Sequence, residues 1–210
     1  MAKEFYRRNL PHWHPPNAVF FITISLEGSL PKHILNRLKE ERDFEINRLH
    51  EQGLDDKVLK EVINQKQEFY FGKFDALLDN PQNDVKYLAN PKIAKIVTDS
   101  LHYLDGKSYK LICYTIMSNH IHFIIYKVTE PLYKIMMNFK GFTGREANKI
   151  LNNKGHKFWN REYYDRVIRD RREFTTKVKY VLFNPVKAKL VENWSDWKFS
   201  WIRKEFINHA

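Results

Sequence analysis

Apolar residues along this chain recur with two periods, one of two residues and one close to 3.6 residues. Runs of β-branched and aromatic residues with the shorter period indicate β-strands, and apolar residues at three- and four-residue steps indicate helices. Pro, Gly, Asn and Asp near the segment ends supply turns and helix caps. The predicted order is a strand, three helices, two strands joined by a tight turn, and two helices, over residues 18–26, 31–53, 55–72, 90–105, 109–117, 120–127, 132–151 and 171–183.

This order predicts an α+β domain. A strand, a helix, a hairpin and a further helix are typical of a ferredoxin-like or RRM-like fold, in which an antiparallel sheet carries helices on one face. Residues 31–75 form a charged, locally acidic helical hairpin, which we interpret as an insertion without catalytic chemistry. With 210 residues and 43% apolar content, residues 1–210 are expected to form a single domain that carries this insertion.

Positive charge is concentrated in the second half of the chain. Residues 31–105 carry a net charge of −2, whereas residues 106–210 carry +12. A positive field over one region favours a polyanionic partner, because phosphate neutralisation dominates nucleic-acid affinity. The basic C-terminal part, residues 156–210, is also rich in aromatic rings that can stack on unpaired bases. Solvated lysine faces and aromatic core packing are the alternative interpretations.

Membrane and secreted classes are not indicated. No stretch approaches the roughly 20 apolar residues of a membrane span, and the N-terminus lacks the apolar core of a signal peptide. Cys113 is the single cysteine, so no disulfide framework exists, and its apolar neighbours predict a packed thiol. We therefore expect a reducing, cytoplasmic location and no membrane partner.

The triplet His120-Ile121-His122 is the first candidate for chemistry. Residues two apart on a strand point to the same face, so both imidazoles project together while Ile121 points into a core. Two histidines at this spacing can bind one divalent metal ion. The alternative is a pair of ordinary half-buried histidines that hydrogen-bond their neighbours.

Tyr180 is the second candidate. At about 100° of rotation per residue, the apolar residues of the 171–183 helix form one stripe and Tyr180 lies off it. Asn184, four residues on, shares the face of Tyr180, so a phenol and an amide are predicted to point away from the packing of the helix. Pro185 is predicted to end the helix there. An ordinary surface tyrosine on an amphipathic helix is the alternative interpretation.

Four segments in order carry a family resemblance over nearly the whole chain: RRNLPHWHPPNAVFFITISLEGSLP, MSNHIHFII, FWNREYYDRVIRD and VKYVLFNPVKAKLVENWSDWKFS. They resemble the REP-associated tyrosine transposases, bacterial relatives of the single-tyrosine HUH transposases. The resemblance implies the HUH endonuclease fold, which agrees with the predicted α+β sheet.

The resemblance also implies roles for the candidate residues. His120 and His122 take the metal-ligand positions, Asn184 the third ligand position and Tyr180 the nucleophile position. The implied cofactor is Mg²⁺ or Mn²⁺, although the ligand types alone favour zinc or copper. The implied reaction is metal-dependent nicking and strand transfer of single-stranded DNA or DNA hairpins through a covalent 5′-phosphotyrosine, which retains the energy of the broken bond. The implied location is the bacterial cytoplasm, in association with the nucleoid.

Basic side chains around the tyrosine helix are the candidate DNA contacts, with surface ion pairs as the alternative: Arg166, Arg169, Arg171, Arg172, Lys177 and Lys187. Tyr163 and Tyr164 are adjacent, as a two-tyrosine HUH enzyme would offer, but side by side they cannot share a helix face. The family pattern assigns no nucleophile to their segment.

Some features depart from the family pattern. Ser118 stands where relatives often carry proline, Lys189 stands where glycine is usual, and the insertion is longer than in compact relatives. Specificity for REP hairpins therefore stays open, as does the choice between monomer and homodimer.

Two other functions are compatible with the same residues. A domesticated nucleic-acid-binding regulator would keep the scaffold without turnover, although a pure binder has no need of both histidines, the tyrosine and the asparagine. An unrelated metal-dependent hydrolase would use the histidine pair and would keep its activity without Tyr180.

Overall fold

The computed structural model describes residues 5–7, 11–13, 15, 18–79 and 84–210. These residues form two compact units: a sheet unit up to residue 27 and from residue 86 onward, and a helical unit of residues 28–85. Residues 8–10, 14, 16 and 17 of the N-terminal segment that carries the family resemblance lie outside the described residues.

The strands are β1 Phe5–Arg7, β2 Pro11–Trp13, β3 Val19–Ser25, β4 Lys110–Ile116, β5 His120–Tyr126, β6 Tyr164–Ile168 and β7 Ser200–Ile202. The helices are α1 Lys32–Glu51, α2 Asp56–Asp79, α3 Pro91–Leu104, α4 Leu132–Ile150 and α5 Arg171–Lys187.

A five-stranded antiparallel sheet with strand order β6-β3-β5-β4-β7 is the centre of the sheet unit. On the middle strand β5, Ile121, Phe123 and Ile125 are fully buried. Phe123 contacts Phe139 of α4, with ring centroids 6.3 Å apart, and α3 packs beside α4. The predicted α+β fold with an antiparallel sheet is thereby confirmed, and α3 and α4 cover the core face of β5.

The helix α5 lies on the opposite face of this sheet. The ring of Tyr180 contacts Phe21 and His122, whose side chains alternate with the core residues of β3 and β5 and so point away from them. The apolar stripe of α5 explains this position, because Val178, Val181 and Leu182 are fully buried and need a surface to cover them. The sheet is therefore covered on both faces, with α5 on the face of the histidines.

The strands β6 and β7 were not predicted from the sequence. Both lie at the edges of the sheet, where a strand has a pairing partner on one side only. β6, with the sequence YDRVI, contains an aspartate and an arginine and is mostly half-buried, while β7 is three residues long. Short, half-polar edge strands of this kind carry too weak an alternation to be recognised.

The predicted end of the tyrosine helix before Pro185 is wrong by a few residues. α5 continues to Lys187 with Pro185 inside its last turn, where the missing proline N–H removes a single backbone hydrogen bond. The chain then leaves the helix through Lys189, which has φ of +56°. The Leu190 N–H donates to the Pro185 carbonyl at 2.9 Å and the Lys189 N–H donates to the Val186 carbonyl at 2.9 Å. This is a Schellman motif in which a lysine occupies the position that favours glycine.

The helical unit contains the two long helices α1 and α2. Two ion pairs join them, Glu41 with Lys73 at 3.3 Å and Glu45 with Lys66 at 3.0 Å, and their opposite order along the two helices shows that the pair is antiparallel. α2 continues through the predicted stop near Gly72 to Asp79, since a glycine costs only about 1 kcal/mol in a helix interior. No helix in the described part of the chain is long and apolar enough to cross a membrane.

We expect Lys189→Gly to stabilise the protein by about 0.5–1 kcal/mol, because glycine adopts the left-handed conformation without a Cβ clash. Chemical denaturation monitored by circular dichroism would measure the change. Lys179→Gly is the matched control: Lys179 is exposed inside the same helix, so the same substitution there should destabilise the protein by about 1 kcal/mol. Equal destabilisation by both variants would contradict the assignment of Lys189 to the helix-capping position.

We expect the thiol of Cys113 to be unreactive in the folded protein. Cys113 lies on β4 and is fully buried, and burial raises its pKa well above the ordinary thiol value. The reactive thiolate is therefore absent at neutral and mildly alkaline pH. A thiol-specific colorimetric reagent should titrate no cysteine in the native protein and one after unfolding in guanidinium. Rapid labelling of the native protein would show that β4 is not covered as described.

Candidate active site

His120 and His122 lie together in the interior of the sheet unit. Both project from the same face of β5, and both are fully buried. Their ring centroids are 4.6 Å apart, and each offers a ring nitrogen within 4.8 Å of the other. The predicted common orientation of the two imidazoles is thus observed, and the spacing suits two ligands of one metal ion.

Each histidine has a hydrogen bond at its Nδ1 atom. The Nδ1 atom of His122 lies 2.8 Å from the hydroxyl of Thr23, its directly opposite neighbour on β3. The Nδ1 atom of His120 lies 2.7 Å from the side-chain oxygen of Asn119. The ring of Phe21 stacks on His122 with a centroid distance of 5.7 Å and an interplanar angle of 17°. These three contacts fix the planes of the two imidazole rings.

Tyr180 of α5 packs against this pair. Its half-buried ring has its centroid 5.4 Å from that of His122 and 5.8 Å from that of Phe21. The ammonium groups of Lys177 and Lys187 lie 5.8 and 5.9 Å from the centroid of the tyrosine ring. The phenol is therefore held between an imidazole of β5 and two cationic side chains of its own helix.

Asn184 lies one helical turn beyond Tyr180 and is 1% exposed. The prediction that this face of the helix points away from the packing is wrong, because Asn184 is buried and the Tyr180 ring contacts Phe21 and His122. Among the residues that the structure describes, neither amide atom of Asn184 has a hydrogen-bond partner. A buried amide without a partner is energetically unfavourable.

The donor set fits a divalent cation. Two imidazoles on one strand face provide nitrogen ligands, and the buried amide of Asn184 provides an oxygen that lacks any hydrogen bond within the described part of the chain. Coordination of a cation would compensate the desolvation of that amide. His120 and His122 therefore offer two ring nitrogens to one cation, and Asn184 stays a predicted third ligand.

The six candidate DNA-contact residues are in different environments. Arg166, on β6, forms an ion pair with Glu173 at 2.6 Å, and the two side chains are 11% and 15% exposed. The other carboxylate oxygen of Glu173 accepts the backbone N–H of Arg169 at 3.0 Å. Arg169, Arg171, Arg172 and Lys187 are exposed and Lys177 is half-buried. Arg166 thus ties β6 to the start of the tyrosine helix, whereas the exposed members remain predicted phosphate contacts.

Tyr164 is the first residue of the edge strand β6, and Tyr163 directly precedes it. Tyr163 is buried. Tyr164 pairs with Thr23 on the histidine face, and its ring centroid lies 6.2 Å from that of Phe21. Thr23, Phe21 and Asn119 are the site residues that sequence reasoning missed. The register between β3 and β5, which places Thr23 and Phe21, has no local signal in the sequence, and the contact of Asn119 with the adjacent His120 depends on the geometry of the turn.

A buried histidine pair on an antiparallel sheet, with a tyrosine helix on the same face, defines the HUH class of fold. Residues 83–182 match the family model described as IS200-like transposase. This match includes His120, His122 and Tyr180 and ends two residues before Asn184.

A solved structure described as a REP-associated tyrosine transposase bound to a REP hairpin is similar to this chain, with a TM-score of 0.53 and 14% sequence identity. The alignment covers 95% of this chain and 82% of the other. No curated protein sequence matches the chain. The resemblance to the REP-associated tyrosine transposases is confirmed by the family match over residues 83–182 together with the shared fold.

We expect Glu173→Gln to destabilise the protein by about 3 kcal/mol, because it leaves the largely buried guanidinium of Arg166 without its counter-charge. Thermal denaturation would measure the loss. The matched control is Glu146→Gln, since Glu146 pairs with Lys149 on the exposed surface of α4, where the side chains are 30% and 63% exposed. That substitution should change stability by no more than about 0.5 kcal/mol. Similar small effects of both variants would rule out a structural role for the Arg166–Glu173 pair.

Proposed function

We propose that this protein nicks and rejoins single-stranded DNA, with Tyr180 as the nucleophile. The observation that carries the proposal is the packing of the Tyr180 ring against His122, with ring centroids 5.4 Å apart. An ordinary surface tyrosine would face solvent and would not pack against a buried histidine pair. Its position beside candidate metal ligands is what a phosphodiester-cleaving tyrosine requires.

The proposed step balances without a further reactant. The phenolic oxygen of Tyr180 attacks the scissile phosphorus, the bond between phosphorus and the 3′-oxygen breaks, and the phenolic proton leaves with a water molecule or the departing 3′-hydroxyl. The products are a 5′-phosphotyrosine and a free 3′-hydroxyl. The 3′-hydroxyl of another DNA end reverses the reaction by attacking the phosphotyrosine, so strand joining uses the retained bond energy and needs no nucleotide cofactor.

The metal is part of this proposal. A phenol with an ordinary pKa of about 10 is a weak nucleophile at neutral pH. A divalent cation bound by His120, His122 and Asn184 would polarise the scissile phosphate and stabilise the charge that develops on it. Mg²⁺ or Mn²⁺ is proposed on the family resemblance, because imidazole and amide donors by themselves favour zinc or copper.

The side chains around Tyr180 are suited to a phosphate. Lys177 and Lys187 bring two ammonium groups to within 6 Å of the tyrosine ring, where they would attract the phosphate and hold it near the phenol. Tyr180 itself is held by Phe21 and His122, so its hydroxyl does not have to be ordered when the DNA binds.

Single-stranded DNA or a DNA hairpin is the proposed partner. The net charge of +12 over residues 106–210 supports a polyanion, and a structural neighbour is described as bound to a REP hairpin. The exposed Arg169, Arg171 and Arg172 near the start of α5 are proposed to contact phosphates.

We expect the purified protein to form a covalent adduct with labelled single-stranded DNA from the flanks of its own gene in the presence of Mn²⁺ or Mg²⁺. A denaturing gel would resolve the adduct. Tyr180→Phe should abolish it, since the phenyl ring keeps the packing but has no nucleophilic oxygen. Tyr164→Phe is the matched control, because Tyr164 lies on the same sheet face and also contacts Phe21, and it should form the adduct normally.

The other outcomes separate the alternatives. DNA binding without any adduct over a range of flanking sequences would favour the regulator that lacks turnover. Cleavage that persists in Tyr180→Phe would favour a hydrolase that uses the histidine pair alone. An adduct lost in Tyr164→Phe and kept in Tyr180→Phe would move the nucleophile to β6.

A further inference from the structure

We infer that Thr23 and Asn119 are positioning residues that hold both histidines in the tautomer that binds a cation. The two hydrogen bonds at the Nδ1 atoms carry this inference, at 2.8 Å for Thr23 with His122 and 2.7 Å for Asn119 with His120. This inference rests on the proposed function, because the cation is the one proposed for that reaction. It goes further by assigning a role to two residues outside the ligand set.

The bond to Asn119 determines the proton position on His120. An amide oxygen can only accept a hydrogen bond, so the Nδ1 atom of His120 must donate. A neutral imidazole that carries its proton on Nδ1 has its lone pair on Nε2. Asn119 is 1% exposed, and its backbone carbonyl accepts the N–H of Leu26 at 2.8 Å. The acceptor is therefore fixed in place by the turn that precedes β5.

The bond to Thr23 has two possible directions, since a hydroxyl both donates and accepts. If the hydroxyl donated to Nδ1 of His122, the proton of the neutral ring would lie on Nε2 and that atom could not bind a cation. We assign the opposite direction, in which the Nδ1–H group of His122 donates to the Thr23 oxygen. Both ligands then present Nε2 lone pairs on the same face.

The strand register makes the Thr23 contact a property of the fold. Thr23 on β3 is directly opposite His122 on β5, and the two residues are 2% and 0% exposed. Water therefore does not compete for the hydrogen bond, and the paired strands set the distance between the two side chains. The ring of Phe21 stacks on His122 at an interplanar angle of 17° and so restricts the plane of the imidazole.

This arrangement predicts a site organised before any cation binds. In water the neutral histidine side chain favours the tautomer with the proton on Nε2. A histidine in that tautomer would have to move its proton to Nδ1 before Nε2 could bind a cation. Hydrogen bonds to the second nitrogen of a ligating histidine fix the tautomer and typically contribute about 10–100-fold in metal affinity. Thr23 and Asn119 supply such bonds from two separate segments, the strand β3 and the turn before β5.

The first test is the tautomeric state of the unmodified protein. Long-range proton–nitrogen NMR spectra of the ¹⁵N-labelled, metal-free protein at pH 7.5 distinguish protonated from unprotonated ring nitrogens. We expect His120 and His122 to show a protonated Nδ1 and an unprotonated Nε2. A protonated Nε2 on His122 would overturn the assignment for Thr23, and the same result for His120 would overturn it for Asn119.

The second test uses a matched pair of variants. Thr23→Val keeps the β-branched shape and removes the hydroxyl, whereas Thr23→Ser keeps the hydroxyl and removes a methyl group. Titration with Mn²⁺ alone, followed by the loss of the free-ion paramagnetic resonance signal, should show an affinity about 10–100-fold lower for Thr23→Val. Thr23→Ser should bind Mn²⁺ nearly as tightly as the unmodified protein. Equal affinities in all three proteins would overturn the inference.

Neither measurement depends on DNA cleavage. If Thr23→Val does not fold, as seen by circular dichroism, the NMR spectrum of the unmodified protein still decides the tautomers. The expected tautomers with Mn²⁺ binding, but no covalent adduct, would contradict the proposed function and leave this inference standing. A covalent adduct from a protein whose His122 carries its proton on Nε2 would contradict this inference and support the proposed function.

Discussion

The alternation of side chains along β5 is the constraint on which the rest of this structure depends. Ile121, Phe123 and Ile125 fill the core on one face, and His120 and His122 therefore must lie on the other. A shift of one residue in the pairing would place imidazoles in the apolar core, so the hydrophobic effect itself fixes the register. Pairing with β3 on one side and β4 on the other makes this register rigid.

The position of α5 depends on two further interactions. Its apolar stripe is fully buried on the histidine face, which determines the side of the sheet on which the helix lies. Asp170 caps its N-terminus by accepting the N–H of Glu173 at 2.8 Å, and the Glu173 carboxylate binds Arg166 on β6. Packing and the ion pair together bring the ring of Tyr180 against His122.

Polar residues are concentrated in the layer between the sheet and α5. Thr23, Ser25, Thr115, His120 and His122 are all buried on the same face, and the Thr115 hydroxyl is hydrogen-bonded to that of Ser200 on β7. An apolar layer would stabilise the domain more, because each buried polar group must recover its lost hydration. Departure from apolar packing on one face only is typical of a functional site.

The sequence by itself determined the local features of this protein. The alternation around His120 and His122 and the four-residue step from Tyr180 to Asn184 depend on the strand and helix periods alone. Tertiary structure decided the burial of Asn184, because the helical period places a polar residue on a helix face but does not show what packs against that face. It also decided that Thr23 faces His122, ninety-nine residues away along the chain. Strand register and helix docking depend on contacts between distant segments, and no local pattern encodes them.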